Sequence, residues 1–122
     1  MLKAGTAARR RSIHREAPLT AGDIRVRVEH FLHRLDLRLQ EHDPAWVGHC
    51  KLLVASDQGT VYASITQAGE SPRWSGEPVA SQRAELTIYV ALYGWSDADV
   101  AAALDGTLAA EPLFDQPDLM PT

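Results

Sequence analysis

A single cysteine, Cys50, stands in the 122 residues, so no intrachain disulfide is available and the expected setting is a reducing cytoplasm. No apolar run approaches the roughly 20 residues of a membrane-spanning helix, and the basic start lacks the apolar core of a signal peptide; no membrane partner is expected. The phosphate-cradling glycine motifs are missing, as are Gly-x-Ser-x-Gly, His-Glu-x-x-His and any paired-carboxylate pattern. His49 and Cys50 are neighbours on a predicted strand, point to opposite faces and cannot form a dyad. Catalysis is therefore the weaker class, and no cofactor is indicated. No internal repeat is present, and residues 96–122 contain neither lysine nor arginine.

What remains is an ordinary globular composition, 45% hydrophobic and 23% charged, with a formal net charge of −4. The charge is divided. Lys3, Arg9, Arg10, Arg11 and Arg15 crowd the start, whereas Asp97, Asp99, Asp105, Glu111, Asp115 and Asp118 mark the end. Two segments of opposite sign attract each other or serve separate partners. Residues 1–19 read as a basic flexible arm, residues 20–110 as a single α+β domain, and residues 111–122 as an acidic, proline-containing tail whose Leu113, Phe114, Leu119 and Met120 could anchor in a groove.

Within the domain, Ile24, Val28, Phe31, Leu32, Leu35 and Leu39 recur at helical spacing and predict an amphipathic helix from Asp23 to about Glu41. Thr20 stands at its start and Pro44 at its stop. Trp46–Ser56 and Val61–Thr66 alternate as strands around Asp57-Gln58-Gly59-Thr60, a hairpin signal. A polar loop carrying Arg73 and Trp74 leads to a third strand, about Ala84–Tyr93, and Ser96 opens a short helix ending near Leu108. The fold expected from these elements is a long N-terminal helix packed on a three-stranded antiparallel meander, followed by a short C-terminal helix.

The strand Leu86–Tyr93 is apolar on both faces. Leu86, Ile88, Val90 and Leu92 match the alternation of Cys50, Leu52, Val54, Val61, Ala63 and Ile65 and define the core side. The opposite face collects Lys51, Tyr62, Tyr89 and Tyr93 with several hydroxyls, a mixture suited to contact with another molecule. Lys51 is the only cation this arrangement places there, so no nucleic acid is expected as a partner; a second copy of the chain, reached through an unpaired sheet edge, or another protein is. The far side of the long helix shows a thinner line, Val26, His30, His33 and Leu37, a second contact surface. His30 and His33, at i and i+3, are the candidate metal ligands, with Asp36, His42 or His49 as a third donor after folding.

Val47-Gly-His-Cys-Lys-Leu-Leu53, Tyr62-Ala-Ser-Ile-Thr66 and Leu86-Thr-Ile-Tyr-Val-Ala-Leu-Tyr-Gly94 with the Asp-rich helix start resemble, over about residues 24–108, the accessory domain that follows the GTPase domain in some CobW-like metallochaperone proteins. This chain has no GTPase domain. The resemblance implies a detached accessory module working with a separate protein, with His49 and Lys51 as the matched positions, and no GTP hydrolysis. The expected function is a non-catalytic binding or assembly module, self-associating or accessory to a larger protein, and the alternative is a small metal-binding or metal-delivery protein using His30 and His33.

Overall fold

The computed structural model describes residues 3–111, which form five strands and two helices in the order β1 (Ala4–Leu19), α1 (Ala21–His42), β2 (Val47–Ser56), β3 (Gly59–Gln67), β4 (Arg73–Ser75), β5 (Ser81–Tyr93) and α2 (Asp97–Ala110). The five strands make one sheet in the order β1-β5-β2-β3-β4, antiparallel at every pairing. The architecture is thus a strand-rich α+β fold, and the expected three-stranded meander behind an N-terminal helix is overturned. The stretch expected as a flexible arm is β1, paired with β5 from Ala4 opposite Tyr93 to His14 opposite Arg83. The stretch expected as a plain loop contains β4, whose Trp74 lies opposite Ala63. β5 is internal to the sheet, and β1 and β4 are its edges.

The two helices form and end as their sequences dictate. Thr20 caps α1, its hydroxyl accepting from the Asp23 N–H at 3.0 Å, and the Asp43 N–H closes the far end on the Leu39 carbonyl. Ser96 caps α2 in the same way through the Asp99 N–H at 3.1 Å, with Asp97 and Asp99 in the first turn, where the helix dipole favours negative charge. Both helices bury their apolar stripes on one side of the sheet. Ile24, Phe31, Leu35 and Leu39 of α1 and Val100 and Leu104 of α2 join Leu52, Ile65, Ile88 and Leu92 in a single core. Gly106 of α2 lets the Arg38 guanidinium of α1 lie against the helix; a Cβ there would stand 3.0 Å from it.

β1 joins the sheet without an apolar stripe. Its core-side positions, Gly5, Ala7, Arg9, Arg11 and Ile13, lie opposite Leu92, Val90, Ile88, Leu86 and Ala84. Gly5 is required because a Cβ would stand 2.5 Å from the Trp95 carbonyl oxygen. Arg9 runs its stem along the apolar layer and delivers its guanidinium to Asp105 of α2, with bonds of 2.7 and 2.9 Å. The Thr6 N–H donates to Asp97 at 2.9 Å. The opposite charges of the two ends of the chain therefore meet.

Among the described residues one carboxylate lies inside. Asp36, 3% exposed, accepts from Trp46 Nε1 at 3.0 Å, from Gln40 Nε2 at 3.0 Å and from the Gly69 N–H at 3.1 Å. It fastens α1 to the start of β2 and to the turn after β3.

Candidate functional site

With both helices on one side, the other side of the sheet is open among the described residues. Side chains alternate along each strand, and directly paired residues share a face, so the register assigns every position. On the open face Ser64, Lys51, Tyr89 and Ala8 form one row across β3, β2, β5 and β1, and Tyr62, Leu53, Thr87 and Arg10 form the next. β4 extends these rows with Arg73 beside Ser64 and Ser75 beside Tyr62. His49, opposite Ala91, and Tyr93, opposite Ala4, continue the face toward one end; Glu85, Arg83 and His14 occupy the other.

The four open-face residues picked out by alternation, Lys51, Tyr62, Tyr89 and Tyr93, therefore share one surface. Tyr89 is 42% exposed and Tyr93 47%. The Lys51 ammonium sits 4.5 Å from the centre of the Tyr62 ring, a cation–π contact that holds the lysine flat on the sheet. Alternation within β2, β3 and β5 found these residues. Alternation does not reach Arg10 and Arg73, which come from β1, without an apolar stripe, and β4, only three residues long. With Arg83 these arginines bring the face to four cations, two of them paired: Glu85 stands 3.7 Å from Arg10, and Glu70, which accepts from the Thr66 hydroxyl, stands 3.5 Å from Arg73. The premise that Lys51 is the sole cation of this face is corrected.

The charges are segregated by layer. The two helices carry seven carboxylates and four arginines. A basic sheet face therefore sits on a protein whose formal net charge is −4. Where the β2–β3 turn faces the bend at the end of β1, an open cleft of about 980 Å³ adjoins the face, lined in part by Ser12, His14, Gln58 and Arg83. The bend marks the register shift between His14 and Leu19, and Gln82 donates to the Glu16 carbonyl across it.

The other predicted site residues lie elsewhere. Val26, 66% exposed, and Leu37, 41% exposed, are on the outer side of α1, the side of the molecule opposite the open face. His30 Nε2 is 3.4 Å from Glu111, which also meets Arg34 at 3.3 Å, and His33 is exposed. Of the donors considered as a third ligand, Asp36 is committed to Trp46, Gln40 and Gly69, His42 packs its ring 4.1 Å from Trp95, and His49 is on the open face. Among the described residues no group of three or more histidine, cysteine or acidic side chains converges. Cys50 is buried on the core side, where loss of water pushes its thiol pKa up and keeps the sulfur protonated and inert. Trp74, expected on a loop, turns toward the helices: its Nε1 donates to Glu29 at 2.7 Å, and Arg25 stands 5.1 Å from its ring.

No protein family, curated protein or solved structure matches this chain. The open face must be read from its own chemistry. The anchors proposed for the acidic tail, Leu113, Phe114, Leu119 and Met120, lie outside the described residues. Among those residues, no helix is long and apolar enough to cross a membrane.

Proposed function

We propose that this chain is a non-catalytic binding module whose working surface is the open face of the sheet. The observation that carries this reading is the exposure of Tyr89 and Tyr93 on the same uncovered face as Lys51 and Tyr62. Tyrosine offers flat area and a hydrogen-bonding tip at little cost in rotamer freedom, so a face that presents several of them is prepared for contact. The thiol of Cys50 is on the core side, away from His49, which stands across from Ala91 on the open face. The metal alternative, on His30 and His33, has no such support, because His30 pairs with Glu111 and, among the described residues, a third donor does not approach.

Hydroxyl-radical footprinting of the chain in extract of its native cells, compared with the purified protein, tests the reading without knowledge of the partner. Protection of Tyr62, Tyr89 and Tyr93 in extract, with Val26 and Leu37 unchanged, is the expected result. Unchanged reactivity of all three tyrosines, or protection confined to the helix side, overturns it. Light scattering of the purified protein over a range of concentrations separates a second copy from a foreign partner.

A further inference from the structure

The chemistry of the open face is narrower than contact in general. Resting on the binding-module reading above, we infer that its ligand is a single-stranded nucleic acid, held by its phosphates along the arginines and lysine and by its bases on the tyrosines. A strand of this kind needs a cationic track and flat aromatic surfaces within reach of it, because the phosphates supply most of the attraction and every base has a stackable face. Lys51 lies against the Tyr62 ring and directly opposite Tyr89, so a cation stands between the two rings. Tyr62 and Tyr89 are separated by two strand spacings across the sheet and one pleat repeat along it, on the order of 10 Å and 7 Å. Arg73, 3.5 Å from Glu70, flanks this group on the β4 side and Arg10, 3.7 Å from Glu85, on the β1 side, both exposed, so phosphates would compete with these carboxylates for them. The cations of the two central rows therefore stand on β4, β2 and β1, with the tyrosines of β3 and β5 between them.

The same features weigh against a protein as the occupant. A stable protein interface centres on a fully desolvated apolar cluster. Here Leu53 is the only large aliphatic side chain in the two central rows, surrounded by Ser64, Thr87, Ser75 and cations. An acidic protein remains the competing polyanion, and it would use the cations without needing the rings. Duplex DNA is disfavoured for a related reason: a five-stranded sheet face is wider than the helix or two-stranded ribbon that a major groove admits.

Fluorescence anisotropy with the intact chain and end-labelled oligouridylate and oligothymidylate of about 12 nucleotides tests this, since single-strand sites on comparable small domains span roughly 4–16 nucleotides. The expected results are saturable binding to at least one of the two oligomers, weakening with salt, and a loss of about 5- to 100-fold in affinity for Tyr89→Ala. Arg10→Gln is expected to weaken binding and flatten its salt dependence, since a phosphate contact is removed. Val26→Ala on the helix side leaves affinity unchanged. Preference for the ribo or deoxy oligomer identifies the sugar. Poly-glutamate binding as tightly as the oligonucleotides, together with an unaffected Tyr89→Ala variant, overturns the inference in favour of an acidic protein. Absence of oligonucleotide binding also overturns it; the binding-module reading then stands or falls separately on whether the three tyrosines are protected in extract. Circular dichroism of each variant confirms that a loss is not one of folding.

Discussion

Replacing Asp36 tests whether the buried carboxylate holds the helix to the sheet. Asp36→Ala removes the acceptor for Trp46 Nε1, Gln40 Nε2 and the Gly69 N–H. Gln40 and Gly69 are partly or fully exposed and can turn to water, but Trp46 is 1% exposed and its N–H has nowhere else to go. A stranded buried donor costs about 1–3 kcal/mol, and a hydrogen bond to a charged acceptor about 1.5–3 kcal/mol, terms that overlap rather than add. The expected destabilisation is about 3 kcal/mol, a drop in Tm of roughly 10 °C for a domain of this size. Asp36→Asn keeps one oxygen for Trp46 but turns an amide donor toward the Gly69 N–H, so about 1–2 kcal/mol is expected. Urea unfolding followed by tryptophan fluorescence and circular dichroism measures both. A loss below about 0.5 kcal/mol for Asp36→Ala, or Asn costing more than Ala, refutes the reasoning, because either result means that the Trp46 N–H is satisfied some other way. The double change with Trp46→Phe isolates the direct bond and is expected to show coupling of about 1–2 kcal/mol.

Two further predictions concern β1. Deleting residues 1–16 strips the edge from β5 and removes Ile13 from the core, so the shortened chain is expected to lose cooperative unfolding; a truncated protein with the full-length midpoint would show that the strand is dispensable. The hydrogen bonds from Arg9 hold the Asp105 carboxyl below its ordinary value of about 3.9, so its stabilisation is present above that pH and is lost as pH falls through the depressed folded value. The pair is exposed and worth about 0.5 kcal/mol, so Asp105→Asn is expected to lower stability by that amount at pH 7 and to converge with the unmodified protein near pH 2; an equal difference at both pH values refutes the assignment.

Much of the fold is legible in the sequence, and what is not has identifiable causes. The helix from Ala21 to His42 announces itself because its apolar residues recur every three to four positions and its start carries Thr20. β2, β3 and β5 are visible because they alternate. β1 is hidden because its core-facing positions hold glycine, alanine and arginine, whose stems and small surfaces bury well but do not register as an apolar stripe. Its trace is the charge asymmetry between the two ends, which the Arg9–Asp105 pair resolves as attraction. β4 escapes because three residues are too few to show a period. The tyrosines of the candidate face follow from alternation alone. Its charge does not, since Arg10 and Arg73 lie on the two strands that pattern could not find. Asp36, a candidate third metal donor by sequence, is buried because Trp46 and Gly69 arrive from later parts of the chain.

The position of β5 between β1 and β2 also sets an order of events in time. β1 leaves the ribosome before the six other elements described, yet its partner β5 begins only at Ser81, and Ala4 must wait for Tyr93. Contacts so distant in sequence are slow to form, since the closure of a long loop precedes any gain from it. During that wait α1, β2 and β3 can assemble locally while β1 remains an unpaired strand. Arginines at four of its positions and a proline near its end keep that waiting strand from pairing with its neighbours on other chains. The feature that conceals β1 from pattern recognition is thus what lets it be made early and used last.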